Sequence, residues 1–241
     1  MSVELEFTGG VDDLISGELG GVQLLINDLE RRVKLMVDHG QPPDRYNKYF
    51  AFPEQISPFR LISVAKKLGL YNTLEGILRQ DLLLAAGQKL VPLDTDALLL
   101  THGHYDHAAG LNLIRPDLET WMHPLTKRML YSWQMMSGTT RNQFVDVYTN
   151  MFTAPKKYGK EKFVSGEEAR IPRNIKTFES GITFKIKDMN VTAYLVDHSL
   201  VGAVGYIIDT SEGKIAISGD IRLRGRRRGD TEAFFKEAMD A

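Results

Sequence analysis

Three of the six histidines fall in one seven-residue run, Thr101-His102-Gly103-His104-Tyr105-Asp106-His107. His102 and His104 are two apart, so in extended backbone they point to the same side. Asp106 and His107 follow where the chain turns into a helix, which lets adjacent side chains diverge to two different metals. Imidazole and carboxylate suit zinc, and also iron or manganese, far better than calcium. Cysteine is absent, which removes thiolate ligands and disulfides and leaves His, Asp and Glu as metal donors. A histidine in a routine structural role accounts for one of these residues and not for three.

The elements that would position such a cluster can be read from apolar patterning. Val22 to Ile26 and Val33 to Val37 are two β-rich runs separated by a charged turn, the signal of a hairpin, and the second ends at Asp38-His39-Gly40. Ala97 to Thr101 is too short for a stable helix, suits a buried strand and stops at His102. Ile182 to Ile186, Val191 to Val196, Gly205 to Ile208 and Lys214 to Ile217 are short β-prone runs joined by turns. Of these, Val191 to Val196 leads into Asp197-His198, and Lys214 to Ile217 leads into Ser218-Gly219-Asp220. Four predicted strands therefore end at Asp38, His102, Asp197-His198 and Asp220, where rigid backbone can hold side chains that substrate still reaches. The pattern predicts one site.

Helical spacing is expected over Phe59, Ile62, Ala65 and Leu68, at Leu74 to Leu78, and from Ala108 to Ile114, where the Arg115-Pro116 step ends the run. Asp81 to Ala86 follows the second of these. Thr126 to Met136 and Arg141 to Met151 also read as helices, with Gly138 as a breaker between them. Met135, Met136 and Trp133 read as helix core. Thr120 to Met122 suits a strand, Lys156 to Arg173 a polar surface loop, and Thr231 to Met239 a closing helix.

The run His102-x-His104-x-Asp106-His107 after a buried strand resembles the signature of the metallo-β-lactamase superfamily. The resemblance extends to a strand-end aspartate before the signature, Asp38, a later single histidine, His198, and a following bridging aspartate, Asp220. It implies an α/β (α+β) fold, a four-layer αββα sandwich with the site along one edge, spanning residues 1–241 as one catalytic core. It also implies two zinc ions, with iron or manganese as alternatives: His102, His104 and His198 on the first, Asp106 and His107 on the second, and Asp220 between them. Asp38 would orient a ligand or the signature loop by hydrogen bonding. The family normally adds one more histidine beyond the bridging aspartate, and none follows His198 here. This is expected of a chain that stops before the strand carrying that ligand, or of a variant whose second site stays empty.

The segment from Asp197-His198-Ser199 to Gly205 resembles the β-CASP, ribonuclease J-like nuclease branch, in which serine often follows this histidine. What the resemblance implies is a zinc-dependent hydrolase using a metal-bound hydroxide, with Asp106 aligning it, and a phosphodiesterase or nuclease acting on RNA or DNA as the leading substrate reading. The alternatives are a small-molecule ester, thioester or lactone hydrolase on the same core, and a non-catalytic binding module. Ser199, Arg222 and Arg224 are the candidate substrate contacts. The arginines 222, 224, 226, 227 and 228 follow Asp220 closely and could pair with phosphate, or could form a solvated loop. The lysines 156, 157, 160 and 162 carry less weight. His39 is expected to be a hydrogen-bonded neighbour of the site and His123 a structural residue.

Composition sets the outer bounds. At 241 residues with 43% apolar content the chain can bury a real core. A net charge of −1 announces no global field for nucleic acid, so any such binding must be local. No apolar run nears the roughly 20 residues that cross a bilayer, and the first residues carry no basic start of a secretory signal. The expectation is a soluble, cytoplasmic protein without a membrane partner, with homodimer formation left open.

Overall fold

The computed structural model describes residues 2–9, 21–41, 43–50, 62–64, 67–68, 74–137, 142–157 and 160–239. Its strands are β1 (Val3–Gly9), β2 (Gln23–Asp28), β3 (Val33–Val37), β4 (Ala97–Leu99), β5 (Glu119–Met122), β6 (Asp146–Lys157), β7 (Lys160–Pro172), β8 (Ile175–Thr177), β9 (Thr183–Ile186), β10 (Met189–Leu195), β11 (Val204–Thr210) and β12 (Gly213–Ile217). The α-helices are α1 (Pro43–Tyr49), α2 (Gln80–Ala85), α3 (Tyr105–Ala108), α4 (Pro124–Ser137) and α5 (Arg228–Met239).

Two sheets carry the architecture. The larger runs β1-β2-β3-β4-β5-β8, antiparallel across the first two pairs and parallel thereafter, and the smaller runs β12-β11-β10-β9, antiparallel throughout. Successive strand residues point to opposite faces, so a sheet covered on both sides must be apolar at nearly every position. That is the case in β2, β3 and β4. Leu24, Ile26, Leu35, Val37, Ala97 and Leu99 face the second sheet, meeting Val191, Ala193, Val204, Tyr206 and Ile208. Leu25, Met36 and Leu98 face the other way, toward Leu111, Leu130 and Phe144. On the far side of the small sheet, Val196, Ala203 and Ile207 pack under Phe234 of α5. The result is four layers, helix, sheet, sheet, helix, as the sequence resemblance implies.

Local chemistry accounts for the helices that flank the site. Pro124 opens α4 in the first turn, where a missing N–H costs nothing, and Thr126, Leu130 and Gln134 form its buried stripe. The imidazole Nδ1 of His123 accepts from Leu125 N–H at 3.2 Å, which gives that histidine a capping role. After the single turn of α3 the chain continues as a 3-10 helix over Ala109–Leu113, so the expected helix at Ala108 to Ile114 is tighter than an α-helix. A second short 3-10 turn occupies Glu75–Ile77. Residues 62–64 and 67–68 are helical. Phe59 and Ala65, which set the expected spacing there, lie outside the described residues.

Three expectations need correction. The helix expected from Arg141 to Met151 is the start of β6, and the loop expected from Lys156 to Arg173 is largely β7; the two strands pair antiparallel as a ribbon of their own. Polarity speaks to solvation, not to backbone conformation, and a two-stranded ribbon satisfies its facing N–H and C=O groups without an apolar face. Met135 and Met136 are exposed rather than core, at 55% and 85%, while Trp133 packs against the buried cluster beneath α4. Strands β1 and β8, at the two edges of the large sheet, were not anticipated.

Candidate metal centre

The loops that leave β3, β4, β10 and β12 meet at one end of the sandwich. Main-chain bonds fix them there. Asp38 N–H donates to Leu99 C=O at 2.9 Å, and Val204 N–H donates to Thr101 C=O at 3.0 Å, which ties the small sheet to the large one beside the cluster. The turn after β3 and the residue before β2 lie against α3 and the 3-10 turn that follows it: His39 N–H donates to His107 C=O, Val22 N–H to Asp106 C=O and Gly110 N–H to His39 C=O, all within 2.9 Å. Gly40 is required by this approach, because a Cβ there would stand 1.5 Å from the Asp106 carbonyl oxygen. Gly40→Ala is therefore expected to destabilise the protein by about 2–3 kcal/mol, as overpacking against backbone does. Urea unfolding would measure it, and an unchanged midpoint would count against the packing described.

Four side chains converge. His104 Nδ1 lies 2.9 Å from both His102 Nε2 and His198 Nε2. Asp220 Oδ2 lies 3.8 Å from His102 Nε2 and 3.6 Å from His198 Nε2. The three imidazoles stand nearly perpendicular in pairs, at 77° to 83°. Three ring nitrogens that face one another cannot all be satisfied by the protons they carry, since a neutral imidazole has one N–H and one lone pair. A shared cation resolves that conflict, and one ligand atom from each of His102, His104, His198 and Asp220 lies within 4.8 Å of the others.

Hydrogen bonds behind the cluster decide which nitrogens face inward. Thr101 Oγ1 spends its proton on Asp38 Oδ2 at 2.8 Å, so toward His102 Nδ1, 3.0 Å away, it can only accept. His102 is thereby held as the Nδ1–H tautomer, with the Nε2 lone pair aimed at the cluster. Asp38 also takes His107 Nδ1–H at 2.8 Å and Thr101 N–H at 2.7 Å. One buried carboxylate thus orients two imidazoles. Ser199 Oγ stands 3.2 Å from His104 Nε2, at the exposed rim. His198 Nδ1 is buried and has no hydrogen-bond partner among the described residues.

The second group lies alongside. His107 Nε2 is 3.4 Å from Asp220 Oδ1 and 3.8 Å from Asp106 Oδ2. The two oxygens of Asp220 therefore face different sets of donors. Burial and the charge of His107 push the pKa of His102 down to about 2, which keeps its donor lone pair free. Burial also holds His198 below the ordinary imidazole value, against the pull of Asp220. For His107, burial opposes the charge, but the nearby Asp38 carboxylate and hydrogen bonds to Asp220 and Asp38 prevail and raise it to about 10. The hydrogen bond from His107 is the main reason that the Asp220 carboxyl falls to about 2.

A profile described as "Metallo-beta-lactamase superfamily" matches residues 73–233, which include this whole cluster except Asp38. The chain belongs to this superfamily. Among solved structures, a protein of unknown function from Enterococcus faecalis V583 is similar with a TM-score of 0.66 at 19% identity, over 97% of this chain and 47% of that one. The metallo-beta-lactamase fold protein YhfI from Bacillus subtilis gives 0.43 at 12% identity, over 89% and 61%. MEM-A1, a subclass B3 metallo-beta-lactamase from a soil metagenome library, gives 0.40 at 14%, over 97% and 71%. The chain spans about half the length of the Enterococcus protein. At 19% identity the likeness to the Enterococcus protein speaks to the fold alone, and the superfamily rests on the profile match.

Within this superfamily core the arginine run lies beside His198 and is fastened there by Asp197. That buried aspartate accepts Arg227 N–H at 3.2 Å through its carboxylate and Arg222 N–H at 2.7 Å through its carbonyl. Its own N–H is bound by Thr231 Oγ1 at 2.7 Å. The Arg222 guanidinium bonds the His198 carbonyl. Arg227 pairs with Asp230 and Arg228 with Glu232, while Arg224 and Arg226 form no ion pair among the described residues. Asp197 stands with His198 at a predicted strand end, but its hold on the arginine loop, like the relay through Thr101, is visible only in the structure. The signal both residues gave was adjacency: each directly precedes a ligand-type histidine at a strand end.

His39 is buried next to the site through its main-chain bonds, and burial lowers its pKa to about 4. No described helix is long and apolar enough to cross a membrane.

Proposed function

We propose that this chain is the catalytic core of a zinc-dependent phosphodiesterase acting on RNA or DNA. His102, His104 and His198 would hold one ion, Asp106 and His107 a second, and Asp220 both. When bound, such ions lower the pKa of a coordinated water to about 7 and stabilise charge developing on a phosphoryl oxygen. The protein's own part is positional. Asp38 and Thr101 fix the tautomers of His102 and His107, Asp106 presents a partly exposed carboxylate that can accept a hydrogen bond, and Ser199 offers its hydroxyl at the rim.

The observation that carries the substrate class is the arginine loop clasped by Asp197 directly behind His198. Arg224 and Arg226 flank Gly225, which lies against the Asp197 carboxylate, and both are exposed cations that would suit bidentate contact with a phosphate. The pairing of Arg227 and Arg228 with their own helix favours a second reading, a small ester, thioester or lactone as substrate, because it lowers the free positive charge.

Cleavage of RNA and single-stranded DNA by the zinc-loaded protein separates the two. The expected result is cleavage that weakens steeply with added salt and falls at least about a hundred-fold in His104→Ala. Turnover of lactones or thioesters with nucleic acid left intact would overturn the phosphodiesterase assignment and keep the metal core. Zinc binding without any turnover would leave only a binding module.

A further inference from the structure

A second basic site lies on the other side of α4 from the histidine cluster. Helix α4 faces the cluster through Met129 and Leu130, which pack at Gly103, and through Thr126, whose hydroxyl donates to the Gly202 carbonyl at 2.9 Å. Its opposite face presents Lys127, Arg128 and Tyr131 to a cavity of about 540 Å³, closed on its far wall by β8 and the base of the β6-β7 ribbon. Residues i, i+1 and i+4 on one helix can share such a wall, with the last stacked one turn above the first.

The charge in this cavity is one-sided. Its lining includes four cations, Lys127, Arg128, Arg170 and Arg173, and one carboxylate, Asp146. Asp146 is spent on Arg170, 2.8 Å away. Arg173 is buried and its guanidinium is bound by the main-chain carbonyls of Gln143, Ile114 and Leu111, and among the described residues no carboxylate pairs with it. Lys127 and Arg128 form no ion pair among the described residues. A chain of net charge −1 thus concentrates positive potential in one concave place, and low-dielectric walls focus it. Tyr131, 41% exposed, adds a flat ring at the mouth.

We propose that this cavity binds a nucleotide, its phosphate held by Lys127 and Arg128 and its base stacked on Tyr131. The cavity volume is in the range of small-molecule sites, and cations combined with an aromatic platform are the means by which single-stranded nucleic acid is held without sequence preference. The site is separate from the histidine cluster, and its occupancy does not depend on what the cluster hydrolyses. A free mononucleotide and a nucleotide within a strand share this chemistry.

The test is binding to the whole chain in the non-cleaving His104→Ala background, with uridine 5′-monophosphate by calorimetry and with a fluorescein-labelled ten-residue oligouridylate by anisotropy. Reversal of charge in Lys127→Glu/Arg128→Glu is expected to weaken binding at least about ten-fold. Loss for both probes supports a site that takes a free nucleotide, and loss for the oligonucleotide alone supports a site that takes a nucleotide within a strand. Lys127→Arg/Arg128→Lys is expected to retain binding. Tyr131→Ala is expected to weaken both nucleotide probes by about ten-fold and to leave inorganic phosphate unaffected. Equal binding by the parent and the charge-reversed protein, or no binding of either probe at low salt, overturns the proposal. Because the parent carries His104→Ala, a failure here says nothing against the phosphodiesterase reading, and failure of that reading leaves this cavity's binding intact.

Discussion

Asp220→Asn is expected to lower hydrolytic activity at least about a thousand-fold while leaving the melting temperature within a few degrees of the parent. The reasoning starts from how the two oxygens are divided. Oδ2 faces His102 and His198, and Oδ1 faces His107. An amide keeps one oxygen acceptor and replaces the other with a donor, so one of the two groups of donors must face an N–H in place of an anion. Asp220 is partly exposed, and it sits after β12 rather than in the core, so the isosteric amide opens no cavity there. Metal analysis of the purified protein by mass spectrometry, alongside thermal melting, checks both halves. Full zinc content with full activity would remove Asp220 from the centre.

The second large effect belongs to Asp38. Asp38→Ala is expected to cost about 3–5 kcal/mol of stability, because removing one partner of a buried pair leaves the other without compensation. The carboxylate and the His107 imidazole are 1% and 2% exposed, and the same carboxylate takes both the N–H and the hydroxyl of Thr101. Backbone conformation adds to the loss. Asp38 has φ of 57°, a left-handed conformation that aspartate and asparagine tolerate and alanine resists. Asp38→Asn therefore separates the contributions: the fold should persist, and zinc affinity should fall about 10- to 100-fold because His102 and His107 lose their fixed tautomers. Denaturant unfolding of both variants with zinc titration of the second provides the check. Alanine and asparagine variants of equal stability would refute the account.

The sequence made the centre legible because its parts are rare residue types placed where short apolar runs stop. His102 follows a strand of buried Ala97, Leu98 and Leu99, His198 one with buried Met189, Val191 and Ala193, and Asp220 one with partly buried Ile215 and Ile217, and such short apolar runs can be recognised without knowledge of their neighbours. What stayed hidden needed three dimensions. The role of Asp38 depends on the convergence of the turn after β3, the end of β4 and α3, none of which specifies the others locally. The clasp by Asp197 joins residues 197 and 227, and nothing in a lone buried aspartate announces a loop thirty positions later.

The misread ribbon has a different cause. Asp146 to Met151 mixes apolar and polar residues in a way that fits 3.6-residue spacing as well as alternation, and the strand wins because β7 supplies its backbone partners. β8 offered three residues, Ile175, Lys176 and Thr177, below the length at which any period can be measured. The exposed Met135 and Met136 were misplaced for a similar reason. Both lie near the end of α4, where the buried stripe of Thr126, Leu130 and Gln134 has already turned away from them.

The seam at Val204 and Thr101 joins two halves that carry different parts of the centre. The large sheet brings His102, His104 and the Asp106-His107 pair, and the small sheet brings His198 and Asp220. A nascent chain that has formed only the first half offers an incomplete nest of donors, and the later half alone offers even less. Ion capture at such a centre would follow closure of the sandwich rather than guide it.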